Sequence, residues 1–212
     1  MTRVVRAARW MSVIALGAGY ALLAHYTNIT ATADTLGISV ALAPIALAAV
    51  SLAWHSSHRG AMFALLALSG AGVWLAWITL QPHFSVLYWL EHAGTETVLC
   101  LAFARSLRPG SEPMCTYFAK IVHGPLAPPL ERYTRQVTAA WAIFFGVMGA
   151  ASTILFYGAP LALWSVFANF FTGPLIALMF IVEYAVRRRL HPGMEHAHIL
   201  AAVKAFWNVP AR

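Results

Sequence analysis

The chain has 212 residues, 60% of them hydrophobic and only 10% charged, with a mean hydropathy of +0.70. Soluble domains carry about 25% charged residues, so this composition excludes an ordinary soluble domain and points to a chain that meets lipid. The formal net charge is +7, but the basic residues sit between apolar runs, which argues for membrane topology and against nucleic acid as a partner.

The basic start MTRVVRAARW leads into an apolar run over residues 10–26, and the polar link TNITATADT follows. Further apolar runs cover residues 36–54, 61–80, 84–104, 137–156 and 161–186. HSSHRG, QPH and YGAP make the short links, a long polar connection covers 105–136, and a tail covers 187–212. A helix needs about 20 apolar residues to cross ~30 Å of hydrocarbon. The expected fold is therefore all-α: a polytopic membrane bundle of six transmembrane helices in a single domain, without internal repeats. Pro44 and Pro174 fall inside runs, where membrane helices tolerate proline with a kink. The basic start, apolar stretch and Ala31-Thr32-Ala33 also fit a cleavable signal peptide. That site lies well beyond the apolar stretch, and the run is long enough to anchor, so an uncleaved span is the expectation.

Charge orients the spans. All 14 Lys and Arg lie in the N-terminal segment, the second-to-third link, the long connection and the tail. With six spans these segments share one side, the cytoplasm by the positive-inside rule, and both termini lie there. The expected location is the bacterial inner membrane. Tyr26, Trp77, Tyr88, Trp89, Tyr157 and Trp164 fall near the outer face, and Trp10, Trp54, Trp141 and Tyr184 near the inner one, as interfacial belts do.

The fourth run carries the strongest chemical signal: Glu91, His92, Thr95 and Glu96 among Leu, Val and Ala. At ~1.5 Å per residue Glu96 lies ~18 Å below the outer face, where a charge costs on the order of 2.5–3.5 kcal/mol. It is expected to be paired or protonated. His92 and Glu96 share a helix face, with Cys100 one turn on, while Glu91 points ~140° away. This set reads either as a proton relay or polar pocket, or as an interhelical hydrogen-bond cluster with Asn169 and Thr172 of the sixth run. A lone His-x3-Glu pair lacks a third metal ligand, and no HExxH is present, so no metal is expected. The tail histidines His191, His196 and His198 read as an interfacial segment rather than a zinc site. Glu183, four residues before Arg187, suits an i,i+4 ion pair. Cys100 and Cys115 suit no structural disulfide.

In the long connection, Pro109-Gly110 signals a turn, Ser111 a helix N-cap, and Gly124 and Pro125 a stop. Met114, Phe118, Ile121 and Val122 share one face between them, which predicts a short amphipathic interfacial helix. Pro125, Pro128 and Pro129 then form a stiff link to the fifth run. Arg105, Arg108, Lys120, Arg132 and Arg135 suit an anionic head group; the plainer reading is a positive-inside loop resting on the membrane. No GxxxxGK[ST], GxGxxG or GxSxG is present, and no catalytic set or cofactor is expected.

Leu107-Arg108-Pro109-Gly110, Glu112-Pro113, Tyr133-Thr134-Arg135, Trp164-Ser165, Ala168-Asn169, Pro174-Leu175 and Glu183-Tyr184 together resemble a small uncharacterised family of polytopic bacterial inner-membrane proteins, encoded beside aryl-polyene and other fatty-acid-like biosynthesis genes. The resemblance covers roughly residues 84–190 and implies a context: lipid or acyl products made at the inner membrane and sent outward. The favoured expectation is an accessory component in handling or export of an acylated or polyene-type lipid. Membrane lipids, and inner-membrane proteins of such a system, are the candidate partners. The alternatives are a small proton-coupled transporter with a Glu/His relay in the fourth run and a lipid head-group enzyme.

Overall fold

The structure is a computed structural model that describes residues 3–30 and 34–190. The tail histidines and Ala31-Thr32-Ala33 lie outside the described residues. The chain is helical throughout, with no strand among the described residues. Three helices among these are long and apolar enough to cross a membrane: Thr35–His55, Pro128–Gly158 and Leu161–Leu190. Two further helices, Arg3–Ile29 with 27 residues and Phe84–Ser106 with 23, have the length to span but carry more polar side chains.

Two compact units divide the chain. One holds the residues up to His92 together with Ser152–Thr172; the other holds Ala93–Ala151 and the chain from Gly173 onward.

In the first unit, α1 (Arg3–Ile29) packs on α2 (Asp34–His55), and α2 packs on α3 (Arg59–Leu75). Pro44 is accommodated inside α2. The expected span over 61–80 is broken at Ala76, and α4 (Trp77–Leu80) and a 3-10 turn, Gln81–His83, carry the chain into α5 (Phe84–Ser106). That turn packs on α2. Gly37 of α2 is needed there, because a Cβ at that position would lie 2.8 Å from Cδ2 of Phe84. α1 also packs against α8 (Leu161–Val166) and the π-helical turn Phe167–Phe171. Ala24, Val40, Ala41, Tyr88 and Trp164 form the core of this unit. Small residues on α1 and α2 let the two rings settle between helices.

The π turn has a local cause. Pro174 lacks the N–H that would bond the carbonyl of Phe170, so the turns before it rearrange. The N–H of Thr172 bonds the carbonyl of Phe167 instead, and α9 (Thr172–Leu190) continues from there. The expected kink at Pro174 is thus a π turn just ahead of it.

The second unit centres on Trp141 of α7 (Pro128–Gly158), which stacks on Phe145 and meets Phe103 of α5 and Phe180 of α9. Gly146 and Gly149 of α7 face α5 without being required there. A Cβ on either would only touch, at 3.4 Å, the Sγ of Cys100 or the Cβ of Glu96. The loop helix is α6 (Met114–His123). It starts later than the Ser111 cap predicted, with Pro113 at the N-cap and no side-chain cap. Its first amides are satisfied from a distance: Met114 N–H donates to Ser106 Oγ at 3.1 Å and Cys115 N–H to Thr138 Oγ1 at 3.1 Å. Gly124, at φ +75°, ends it as expected, and Gly110, at φ +82°, makes the predicted turn. Pro128 and Pro129 are not a link; they open α7, where a missing N–H costs nothing.

Three of the aromatic residues assigned to interfacial belts are core residues instead. Trp164, Tyr88 and Trp141 are buried, whereas Tyr26, Trp54, Tyr157 and Tyr184 are exposed. Trp164 and Tyr88 go inside because their polar tips find partners there.

Candidate functional site

Within the first unit, His92 of α5 is held between two helices. Its Nδ1 lies 3.0 Å from Ser152 Oγ of α7, and its Nε2 lies 2.9 Å from Thr172 Oγ1. Trp164 donates its Nε1–H to the same Ser152 Oγ at 3.0 Å, and Thr172 donates its hydroxyl to the carbonyl of Phe167 at 3.3 Å. These partners assign the protons. Thr172 gives its one hydroxyl proton to a carbonyl, so it accepts from His92 Nε2–H. With a neutral imidazole the chain then runs Trp164 to Ser152 to His92 to Thr172 to Phe167. A proton wire needs each member to reverse its bond, and both ends of this chain are fixed in direction.

Other polar contacts of this unit lie away from His92. Tyr20 of α1 donates to Glu91 Oε2 at 3.4 Å. Thr27 and Tyr88 share a buried hydrogen bond of 3.1 Å. His25 Nδ1 lies 3.0 Å from Ser165 Oγ, which also accepts from Asn169 Nδ2 at 3.2 Å. Of the residues singled out in the sequence, His92 and Thr172 therefore meet. Asn169 bonds within its own helix, and Glu91 turns to Tyr20. Tyr20, His25, Thr27, Ser152 and Ser165 were not singled out. Their signal was a polar residue in an apolar run, which is weak for Ser, Thr and Tyr because each hides readily in a helix.

The second unit holds Glu96, Thr95 and the basic segment. Glu96 is 4% exposed, and its Oε2 has no hydrogen-bond partner among the described residues. Thr95, beside it, is exposed.

A cleft of about 540 Å³ opens between the turn at Gly110, α6 and the first turns of α7. Lys120, Arg132 and Arg135 line it, together with Glu112, Glu131 and Thr116. Arg105 and Arg108 are exposed and are not part of its lining. Lys120 bridges two carboxylates, at 2.9 Å to Glu112 and 2.8 Å to Glu131. Hydrogen bonds to Glu131 and then to Glu112 push its pKa above the usual lysine value. Arg135 is anchored through Nη2 to the carbonyl of Leu107 at 2.6 Å. Among the described residues neither Arg132 nor Arg135 has an acidic partner.

Hydroxyls fix the floor of this cleft. Buried Thr116 of α6 bonds Thr134 of α7 at 2.7 Å, and Thr138 bonds the Thr134 carbonyl at 2.8 Å. Elsewhere in the unit the predicted Glu183–Arg187 pair is present at 3.4 Å, and Tyr133 donates to the same Glu183 oxygen at 3.2 Å. Among the described residues no three His, Cys, Asp or Glu side chains gather as a metal-binding set.

Fold and site thus define an all-helical chain with three helices fit to cross a membrane, a direction-locked histidine network and a basic cleft. No family model, curated protein or solved structure matches the chain.

Proposed function

We propose that this is a six-span inner-membrane protein, both termini cytoplasmic, that binds the head group of an anionic acylated or polyene-type lipid at the basic cleft. It acts as an accessory component in handling or export. One observation carries this reading: Lys120 takes up both nearby carboxylates and leaves Arg132 and Arg135 facing the cleft without acidic partners among the described residues. Arginine suits phosphate and carboxylate through its fork of donors. The apolar residues Phe118 and Ile121 of α6 rest on the lipid beside the cleft and let an acyl chain stay in the bilayer. The resemblance to proteins encoded beside aryl-polyene genes supplies the class of cargo.

Lipid and metabolite profiling of a deletion strain tests this, with complementation by wild type, Arg132→Ala/Arg135→Ala or Glu96→Gln. A lipid product is expected to be lost or retained in the inner membrane, restored by wild type and not by the arginine variant. An unchanged profile would sink the proposal.

A proton-coupled transporter is the second reading, and the unpartnered, buried oxygen of Glu96 favours it. The fixed direction of the His92 chain weighs against a relay through that residue. Under this reading the lipid profile is unchanged, and pH-dependent solute uptake is lost in Glu96→Gln.

A further inference from the structure

The charges lining the cleft set what it takes. Three cations, Lys120, Arg132 and Arg135, face two carboxylates, Glu112 and Glu131. The lining therefore has a surplus of one positive charge. The helix starts beside the cleft add few backbone donors. Pro128 and Pro129 have no N–H, and those of Leu130 and Glu131 already bond the Ala127 carbonyl at 2.9 and 3.1 Å. At the start of α6 the Met114 and Cys115 amides are taken by Ser106 and Thr138. Neither helix N-terminus offers these groups to a phosphate, and recognition falls to the two arginine side chains. Arg135 is held in place by Leu107 and keeps its other donors.

We infer that the cleft selects an amphiphile whose head group carries one negative charge, a carboxylate or a phosphodiester, over a dianionic phosphomonoester. This rests on the head-group reading above and narrows it. A second charge would exceed the surplus, leave the occupied cleft net negative and lie near Glu112 and Glu131. Those carboxylates thus set selectivity while Lys120 holds them.

The test uses the full-length protein in phosphatidylcholine nanodiscs at pH 8, where a phosphomonoester is close to doubly charged, since its second pKa is about 6. The probes are oleate, phosphatidylglycerol and phosphatidate. Wild type is expected to bind oleate, phosphatidylglycerol or both several-fold more tightly than phosphatidate; which of the two binds identifies the source of the single charge. Arg132→Ala and Arg135→Ala should each weaken binding about tenfold, as loss of a charge-assisted hydrogen bond does. Glu131→Gln, which leaves Lys120 paired with Glu112, should shift preference toward phosphatidate by about tenfold. If wild type binds phosphatidate as tightly as the others or tighter, or if Glu131→Gln shifts nothing, the one-charge rule fails while the head-group reading stands. If none of the three binds, or the arginine variants bind as wild type does, both fail.

Discussion

Ser152 Oγ accepts from Trp164 and donates to His92, so one hydroxyl orders two buried groups. Ser152→Ala should leave both without that partner and cost about 1–3 kcal/mol, read as a lower thermal midpoint in detergent. Thr172→Val should cost less, nearer the ~0.6 kcal/mol average of single bonds between membrane helices, because only the His92 Nε2–H loses its acceptor. If Ser152→Ala leaves the midpoint unchanged, the directed chain does not hold the unit together. Glu96 poses the opposite case. Its Oε2 makes no bond among the described residues, so Glu96→Gln should shift the midpoint little, while Glu96→Lys puts a longer charged chain into a nearly closed site and should abolish recovery of folded protein. Cys115 offers a check on α6. Burial, the main effect, pushes its thiol pKa up, partly offset by Thr138, so its thiolate fraction at neutral pH is below that of a free cysteine. In a Cys100→Ser background, iodoacetamide should label Cys115 several-fold more slowly than free cysteine at about pH 8. Labelling at the free-cysteine rate would mean that α6 does not hold it buried against the rest of the protein.

At the scale of elements, α6 is docked on the protein: Thr116, Met114 N–H and Cys115 N–H tie it to α7 and to the end of α5. Lipid contact and polar docking therefore separate by mutation. Thr116→Val with Thr138→Val should loosen docking and speed cleavage after Lys120 by trypsin, whether or not lipid is present. Phe118→Asp with Ile121→Asp should do so only in bilayers, if the face rests on lipid. Equal cleavage of all variants would leave α6 held by neither. The elements also show where periodicity misleads. Residues 61–80 are apolar throughout, yet the helix breaks at Ala76, and residues 161–190 contain a π turn that apolar composition does not signal.

At the scale of the molecule, topology is the claim that charge placement makes most directly. Arg59 opens α3, Arg105 closes α5, Arg132 and Arg135 lie in the first turns of α7, and Arg187–Arg189 close α9, so the described cations sit at helix ends. A periplasm-active phosphatase fused after Asp34, His83 or Gly158 should be active, and fused after Arg59, Gly124 or Arg212 inactive. Activity at Gly124 would overturn the six-span proposal and put the basic cleft on the wrong side for a cytoplasmic head group.

The sequence by itself determined the helical class, most helix positions, the Gly110 and Gly124 turns, the Glu183–Arg187 pair and the basic character of the long connection. These follow from composition, from spacing along one helix and from backbone chemistry at single residues, all of which are local. Only the tertiary structure decided that His92 meets Ser152 and Thr172, that Glu91 meets Tyr20, and that Asn169 turns back on Ser165. It also decided that Lys120 bridges two carboxylates and so leaves Arg132 and Arg135 to the cleft. Those pairings depend on which helices are neighbours and on their rotation about their axes. Apolar runs of similar length and hydropathy do not encode either, because lipid solvates every face of such a helix about equally and the choice falls to small residues and single hydrogen bonds.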